Sequence, residues 1–266
     1  MMPMPRLSIV IVSYNARADL DGLLGTLVRG KPAVDHEILV VDNASTDDTV
    51  DALRARWPGV RLIEAGGNLG FARANNLGIR QSFGELVLLL NGDTLVPPGA
   101  LDALVAALDS RPDVAIVGPR LVDAHGRAEL SFGKMISPVN ELRQKLRARG
   151  NVERLTARER EVDWVSGACL LVRRADAEAV GLLDERFFMY TEDVDFCAAV
   201  RARGRKVLFT PRAQIVHLRG RSRRTAPRAT EAAYRRSQVA FYEKHHPRWA
   251  PILRIYLRLR RRLPDK

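Results

Sequence analysis

The sequence predicts an α/β fold: a mainly parallel central sheet covered by helices on both faces. Three observations predict it. Strand-like and helix-like segments take turns through the first hundred residues, the strand-like runs are continuously apolar, and a polar cluster follows each run. Unbroken apolar strands are those buried on both sides, and parallel neighbours need the crossover connections that the intervening helices supply.

The elements follow in order. LSIVIVSYN (Leu7–Asn15) is a buried-strand run, and Ala18–Arg29 carries Leu20, Leu23, Leu24 and Leu27 at helical spacing. EILVVDNAS (Glu37–Ser45) is a second strand, and Thr46, Asp47 and Asp48 cap a helix over Asp48–Arg56. VRLIEAG (Val60–Gly66) is a third strand, Gly70–Phe83 a third helix and ELVLLLNGD (Glu85–Asp93) a fourth strand. The order is βαβαβαβ. Sheets of this kind bind ligands beyond the carboxyl ends of their strands.

Composition excludes several classes. The chain has 266 residues, 46% hydrophobic and 28% charged, as in a soluble globular protein. No apolar run reaches the roughly 18 residues of a membrane helix, and the N-terminal stretch lacks a signal-peptide cleavage site. A cytoplasmic location is expected. Cys169 and Cys197 stand apart without CxxC spacing, which points to two buried thiols. The net charge of +12 is unevenly placed: residues 201–266 hold 20 Lys and Arg against three acids, whereas residues 1–200 are mildly acidic. A basic tail on an acidic body fits an anionic surface.

The polar residues gather by topology. Tyr14 and Asn15, Asp42 and Asn43, Asn68 and Gly70, and Asn91 and Asp93 each follow a different strand, so all four clusters fall on one edge. Neither GxxxxGK[ST] nor GxGxxG occurs, so a nucleotide there is held by other means. Asp42 suits hydrogen bonds from a base or ribose, and Asp93 suits a hard divalent cation bridging phosphates. Loop punctuation by glycine competes with a binding role around Asn68 and Gly70. YTEDVDFC concentrates Glu192, Asp193 and Asp195 ahead of a helical segment over Phe196–Arg203. The helix dipole alone accounts for Asp195 there.

SIVIVSYN, EILVVDNASTDDT, NLGFARANNLGI and LLLNGDTLVPPGAL resemble the nucleotide-sugar half of family-2 inverting glycosyltransferases of the GT-A fold, in the bacterial rhamnosyltransferase-like branch. WVSGACLLVRR, GLLDERFFMYTEDVDFCAAVRARG and IVHLRGRS extend the resemblance over about residues 7–222. It implies a catalytic domain over 1–222, with a nucleotide-sugar half at about 7–110 and an acceptor half at 111–222 that holds a charged, mobile insertion at about 125–161. A basic helical tail over 223–266 follows. It also implies donor contacts from Ser13, Tyr14, Asn15, Asp42, Asn43, Asn68, Gly70, Asn75, Asn91 and Asp93. Asp193 falls on the family's catalytic base, with Glu192 and Trp164 on the acceptor side, Trp164 being equally readable as core packing. Asp93 and His217 fall on metal-binding positions for Mg²⁺ or Mn²⁺. The metal motif departs from the family's, because Leu95 stands where a second acid is usual. The implied reaction is transfer of a sugar, L-rhamnose from dTDP-L-rhamnose above UDP- or GDP-linked donors, onto a cell-envelope glycan precursor, in many relatives one carried on a polyprenyl diphosphate.

The tail speaks to the acceptor. Ile252, Ile255, Tyr256, Leu259 and Leu263 share one helical face, with Arg254, Arg258, Arg261 and Arg262 largely on another and Trp249 just upstream. Such a helix lies on an anionic membrane, here the inner face of the cell membrane, or packs its apolar side on the domain. A non-catalytic protein that binds nucleic acid through this tail is the rival class. No nucleic-acid module is recognisable, so no such partner is expected.

Overall fold

The computed structural model describes residues 4–137, 140, 152–218 and 227–260. Its first half is the alternation the sequence predicts. Strands β1 (Leu7–Ser13), β2 (His36–Asp42), β3 (Arg61–Glu64) and β4 (Leu86–Asn91) pair in parallel in the order β3-β2-β1-β4. Helices α1 (Arg17–Arg29), α2 (Thr49–Arg56) and α3 (Gly70–Gln81) make the crossovers. The strands stop short of the predicted ends because their last polar residues turn away. Asn15 and Ala44 leave with φ of +48° and +65°, a region that L-residues seldom enter.

Past β4 come β5 (Thr94–Leu95), α4 (Ala100–Asp109), β6 (Val114–Val122), β7 (Ala128–Glu129), β8 (Phe132–Gly133) and α5 (Val152–Leu155). These are followed by β9 (Arg160–Val162), β10 (Trp164–Val165), β11 (Cys169–Arg173), α6 (Arg174–Ala179), α7 (Glu192–Ala202) and β12 (Lys206–His217). The sheet order is β3-β2-β1-β4-β11-β6-β12-β5, and β8 and β10 form a separate small sheet. In the middle of the sheet β11 is reversed, running antiparallel to both β4 and β6, and the short strands β5, β7 and β9 also pair antiparallel. The amino end of β11 therefore lies at the edge where β1, β2 and β4 present their carboxyl ends. A bond from the Asn91 amide to the Ala168 carbonyl, 3.0 Å long, ties the two there.

Side-chain alternation along the strands divides the core into two layers. Ile9, Ile11, Val40, Leu88 and Leu90 pack with Leu20, Leu24 and Leu27 of α1 and Leu104 of α4. Val10, Leu39, Val41, Val87 and Leu89 pack with Ala72 and Ile79 of α3 and with Phe196 and Val200 of α7. Gly78 of α3 is small because a Cβ there would meet Val10 at 2.4 Å. Both cysteines are buried and free in this core, where burial pushes the Cys197 thiol up to about 12.

The segment expected as an insertion is partly woven into the fold. β7 pairs with β6, β9 with β12 and β8 with β10, while residues 138–139 and 141–151 lie outside the described residues. At the carboxyl end, α8 (Pro227–His245) and α9 (Ala250–Leu259) add a third cluster, with Phe241, Tyr242 and Ala250 packed on Phe187 and Val194. Ala250 and Leu257 are the buried residues of α9, whereas Ile252, Ile255, Tyr256 and Leu259 are exposed, the last at 81%. The predicted apolar stripe thus faces outward, and a different stripe packs inward. Arg261, Arg262 and Leu263 lie outside the described residues. Among the described residues no helix is long and apolar enough to cross a membrane.

Candidate active site

The carboxyl edge of β1–β4 is built from hydrogen bonds within and between the loops that follow neighbouring strands. Asp42, buried at the end of β2, accepts the Ser45 amide at 2.9 Å and the Ser45 hydroxyl at 2.5 Å. Asn15 accepts the Thr46 amide at 2.7 Å. Asn43 accepts the Leu69 amide at 2.9 Å, and its NH2 faces the Asn68 side-chain oxygen and the Gly70 carbonyl, both at 3.2 Å. Asn75 donates to the Phe71 carbonyl at 2.9 Å from within α3. Asn43 and Asn68 therefore brace the loop, and Asn75 braces the first turn of α3. Tyr14 remains exposed at the edge, and the buried Ser13 hydroxyl has no hydrogen-bond partner among the described residues. An orphaned buried hydroxyl at a strand end is a feature that a ligand satisfies.

Gly70 joins this edge to the far half. It has φ +78°, and a Cβ there would meet the Phe188 carbonyl oxygen at 2.4 Å. The next amide, of Phe71, donates to that same carbonyl at 2.6 Å.

Asp93 follows Asn91 in the turn between β4 and β5. Pairing of β5 with the end of β12 sets Thr94 opposite His217, and the Leu218 amide donates to the Asp93 carbonyl at 2.9 Å. His217 Nε2 then lies 3.2 Å from Asp93 Oδ1, and its Nδ1 lies 3.7 Å from Glu129 Oε2. An imidazole beside a carboxylate is a donor set suited to Mn²⁺ or a similar divalent ion. No group of three or more His, Cys, Asp or Glu side chains able to hold a metal ion occurs among the described residues.

Asp193 comes to the edge at the start of α7. Its Oδ2 accepts the Gly167 amide at 2.8 Å and its Oδ1 the Val194 amide at 2.8 Å. Gly167 separates Asp193 from Phe71, because a Cβ at that glycine would stand 3.3 Å from one and 3.4 Å from the other. Burial holds the Asp193 carboxyl above the ordinary range, against the pull of the Gly167 and Val194 amides. Glu192 is more deeply buried, its Oε2 has no hydrogen-bond partner among the described residues, and burial together with the Asp193 charge raises it well above the usual carboxylate range. Paired carboxyls in a shielded site are a frequent mark of acid–base chemistry.

Trp164 sits differently from its acceptor-side expectation. Its ring lies against Gly133 of the small sheet and its Nε1 donates to the Lys134 carbonyl at 3.0 Å. Asp195 also departs from a helix-dipole role, because it is buried against α8 and bonded to Lys244 and His245. Glu129, Gly167, Lys244 and His245 were not read from the sequence as site residues. Their signals were weak: a two-residue strand, a lone glycine and the end of a basic helix.

A doubly covered, mostly parallel sheet with β11 reversed in its middle and carboxylates on its edge defines a GT-A glycosyltransferase. The chain belongs to the glycosyltransferase-like family 2, whose model matches residues 5–251. It is 34% identical to the N-acetylglucosaminyl-diphospho-decaprenol L-rhamnosyltransferase of Mycobacterium tuberculosis, over 91% of this chain and 86% of that one. It is 31% identical to the low-salt glycan biosynthesis hexosyltransferase Agl10 of Haloferax volcanii, over 73% of this chain and 61% of the other. Among solved structures, the mannosyltransferase PcManGT from Pyrobaculum calidifontis, in complex with GDP-Man and Mn²⁺, superposes with a TM-score of 0.63 at 20% identity. That match covers 95% of this chain and 69% of the other. GalNAc-T7 with UDP, GalNAc and Mn²⁺ matches with a TM-score of 0.62 at 18% identity, over 82% of this chain and 45% of that one.

Proposed function

We propose that this glycosyltransferase moves L-rhamnose from dTDP-L-rhamnose to a polyprenyl-diphosphate-linked glycan, with inversion at the anomeric carbon. The observation that carries the reaction is the meeting of Asp93 and His217 with Asp193 at one edge, where Asn91 and Ala168 tie β4 to the amino end of β11. The sugar and the lipid carrier are supported by the likeness to the mycobacterial rhamnosyltransferase.

Asp193 acts as the base. The acceptor hydroxyl attacks the anomeric carbon, its proton passes to the Asp193 carboxylate, and the bond to the nucleoside diphosphate breaks with its electron pair leaving on the diphosphate. The raised position of Asp193 strengthens it as a base near neutral pH. Glu192, behind it, supports the base in its shielded setting. Ser13, Tyr14, Asn15, Asp42 and Asn91 line the donor side, with Asn43, Asn68 and Gly70 shaping the loop and Asn75 the first turn of α3. Asp93 and His217 would hold a divalent cation, Mg²⁺ or Mn²⁺, with Glu129 orienting the imidazole from behind. Such an ion, when bound, neutralises charge on the leaving diphosphate.

The acceptor's lipid requires a membrane, and α9 supplies the contact in this reading. Trp249, Ile252, Ile255, Tyr256 and Leu259 are exposed beside Arg254 and Arg258, a combination suited to the headgroup layer of an anionic bilayer. The enzyme would then work peripherally at the cytoplasmic face.

The test is calorimetric titration with dTDP-, UDP- and GDP-linked sugars, with Mn²⁺ or with a chelator. Metal-dependent binding of dTDP-L-rhamnose alone is expected. Preference for a UDP- or GDP-sugar would replace the donor while keeping the reaction class, and failure of every donor to bind would overturn the transfer reading.

A further inference from the structure

We infer that α8 is a working part of the active site: Ser237, Lys244 and His245 are positioning residues that hold the turn presenting Asp193. The inference rests on Asp193 as the base. It starts from the backbone on the amino side of that residue, where Tyr190 and Thr191, neither a glycine, both stand at positive φ, +73° and +66°. Two consecutive residues of this kind are strained and persist only where surrounding contacts over-determine them.

Those contacts come from one helix. The Ser237 hydroxyl donates to the Met189 carbonyl at 2.7 Å, directly before the strained pair. The Thr191 hydroxyl donates to the Ser237 carbonyl at 3.4 Å, and the Tyr190 ring meets Tyr234 edge-on with centroids 5.9 Å apart. On the far side of Asp193, Asp195 is 2% exposed, with Lys244 Nζ at 2.8 Å and His245 Nε2 at 2.6 Å from its carboxylate. Lys244 also reaches Asp184 at 2.8 Å, before the turn begins. The helix thus grips the turn ahead of, within and beyond the strained pair, and Val194 packs in the same cluster as Phe241 and Tyr242. Asp193 itself receives none of these bonds, because its oxygens accept the Gly167 and Val194 amides. Its own contacts set its direction, and α8 holds its backbone in place.

The test uses the full chain with Asp195→Asn, Ser237→Ala, the double variant and the conservative Lys244→Arg. Hydrogen exchange of the peptide spanning residues 188–196 is compared with that of peptides from β1 and β4, alongside kcat and donor KM. In the double variant, residues 188–196 should exchange about tenfold faster or more while β1 and β4 stay protected. The kcat should fall about 10- to 100-fold, as for a misplaced catalytic group, with donor KM within about twofold. Lys244→Arg should retain both properties. Unchanged exchange, or loosened exchange with full kcat, overturns the inference. If Asp195→Asn disrupts the fold as a whole, Ser237→Ala, which removes one hydroxyl, decides by the same two readouts. An Asp193→Asn control separates the two readings: full activity in that control removes the base assignment, whereas the exchange result still decides whether α8 holds the turn.

Discussion

On the proposed donor side of the edge, Asp42 is tied to Ser45 and Asn43 to the loop at residues 68–70, within a run of loops that follow consecutive strands. On the proposed acceptor side, Asp193 takes its bond from Gly167, and its turn is braced by residues 234–245. The first side is organised by hydrogen bonds between loops that follow neighbouring strands, as between Asn15 and Thr46, 31 residues apart, whereas the turn at Asp193 is held by a helix 46 to 50 residues further along the chain. The difference teaches where each half should be vulnerable: donor binding to single side chains, turnover to contacts far along the chain.

The largest break in that comparison is Asp193→Asn. It should lower kcat by about 10²- to 10⁴-fold, the span usual for a general base, while calorimetry finds donor affinity within about twofold of the parent. A variant retaining most of its turnover sinks the base assignment. Asp93→Ala should do the opposite, weakening Mn²⁺-dependent donor binding by at least the roughly 10- to 100-fold seen on losing a metal site's supporting partner. Equal binding with and without a chelator in both proteins would remove Asp93 from the site. Ile252→Asp with Ile255→Asp should cut co-sedimentation with anionic vesicles about tenfold, since apolar burial and charge attraction both contribute there. Turnover of a water-soluble acceptor should be unchanged.

The smallest effect sharpens the electrostatic side. Because Glu192 is raised when folded, the folded chain holds a proton that the unfolded chain has already released between the ordinary carboxylate range and the raised value. Stability contributed there falls as pH rises through that window. Glu192→Gln should therefore raise Tm on the alkaline side and leave it unchanged on the acid side, by about 2–4 °C for each kcal/mol of burial cost removed. A gap independent of pH would count against a buried, proton-holding Glu192. Asp193, also raised, should set the acid limb of kcat/KM above the ordinary carboxylate range.

The same contrast explains what was legible in the sequence. The strands and their edge residues could be read because apolar runs and the polar residues after them are neighbours in the chain. Asp93, His217 and Asp193 were singled out by motif, but the contacts that hold the turn at Asp193 were not. Thr191 with Ser237 and Asp195 with His245 are joined only by the way α8 returns over α7. The reversal of β11, which brings Gly167 to Asp193, leaves no periodic trace, since a buried antiparallel strand is as uniformly apolar as its parallel neighbours. The outward stripe of α9 was visible as periodicity, whereas its inward stripe, Ala250 and Leu257, was too sparse to register.

Gly70 carries a last consequence. Its missing side chain leaves room for the Phe188 carbonyl, which the next amide grasps. In the proposed transfer, the loop that shapes the sugar-nucleotide side and the segment leading to the base are therefore spaced by the absence of one methyl group. Adding that methyl would act as a wedge driven between two stages of a single reaction, shifting the departing group and the incoming hydroxyl together.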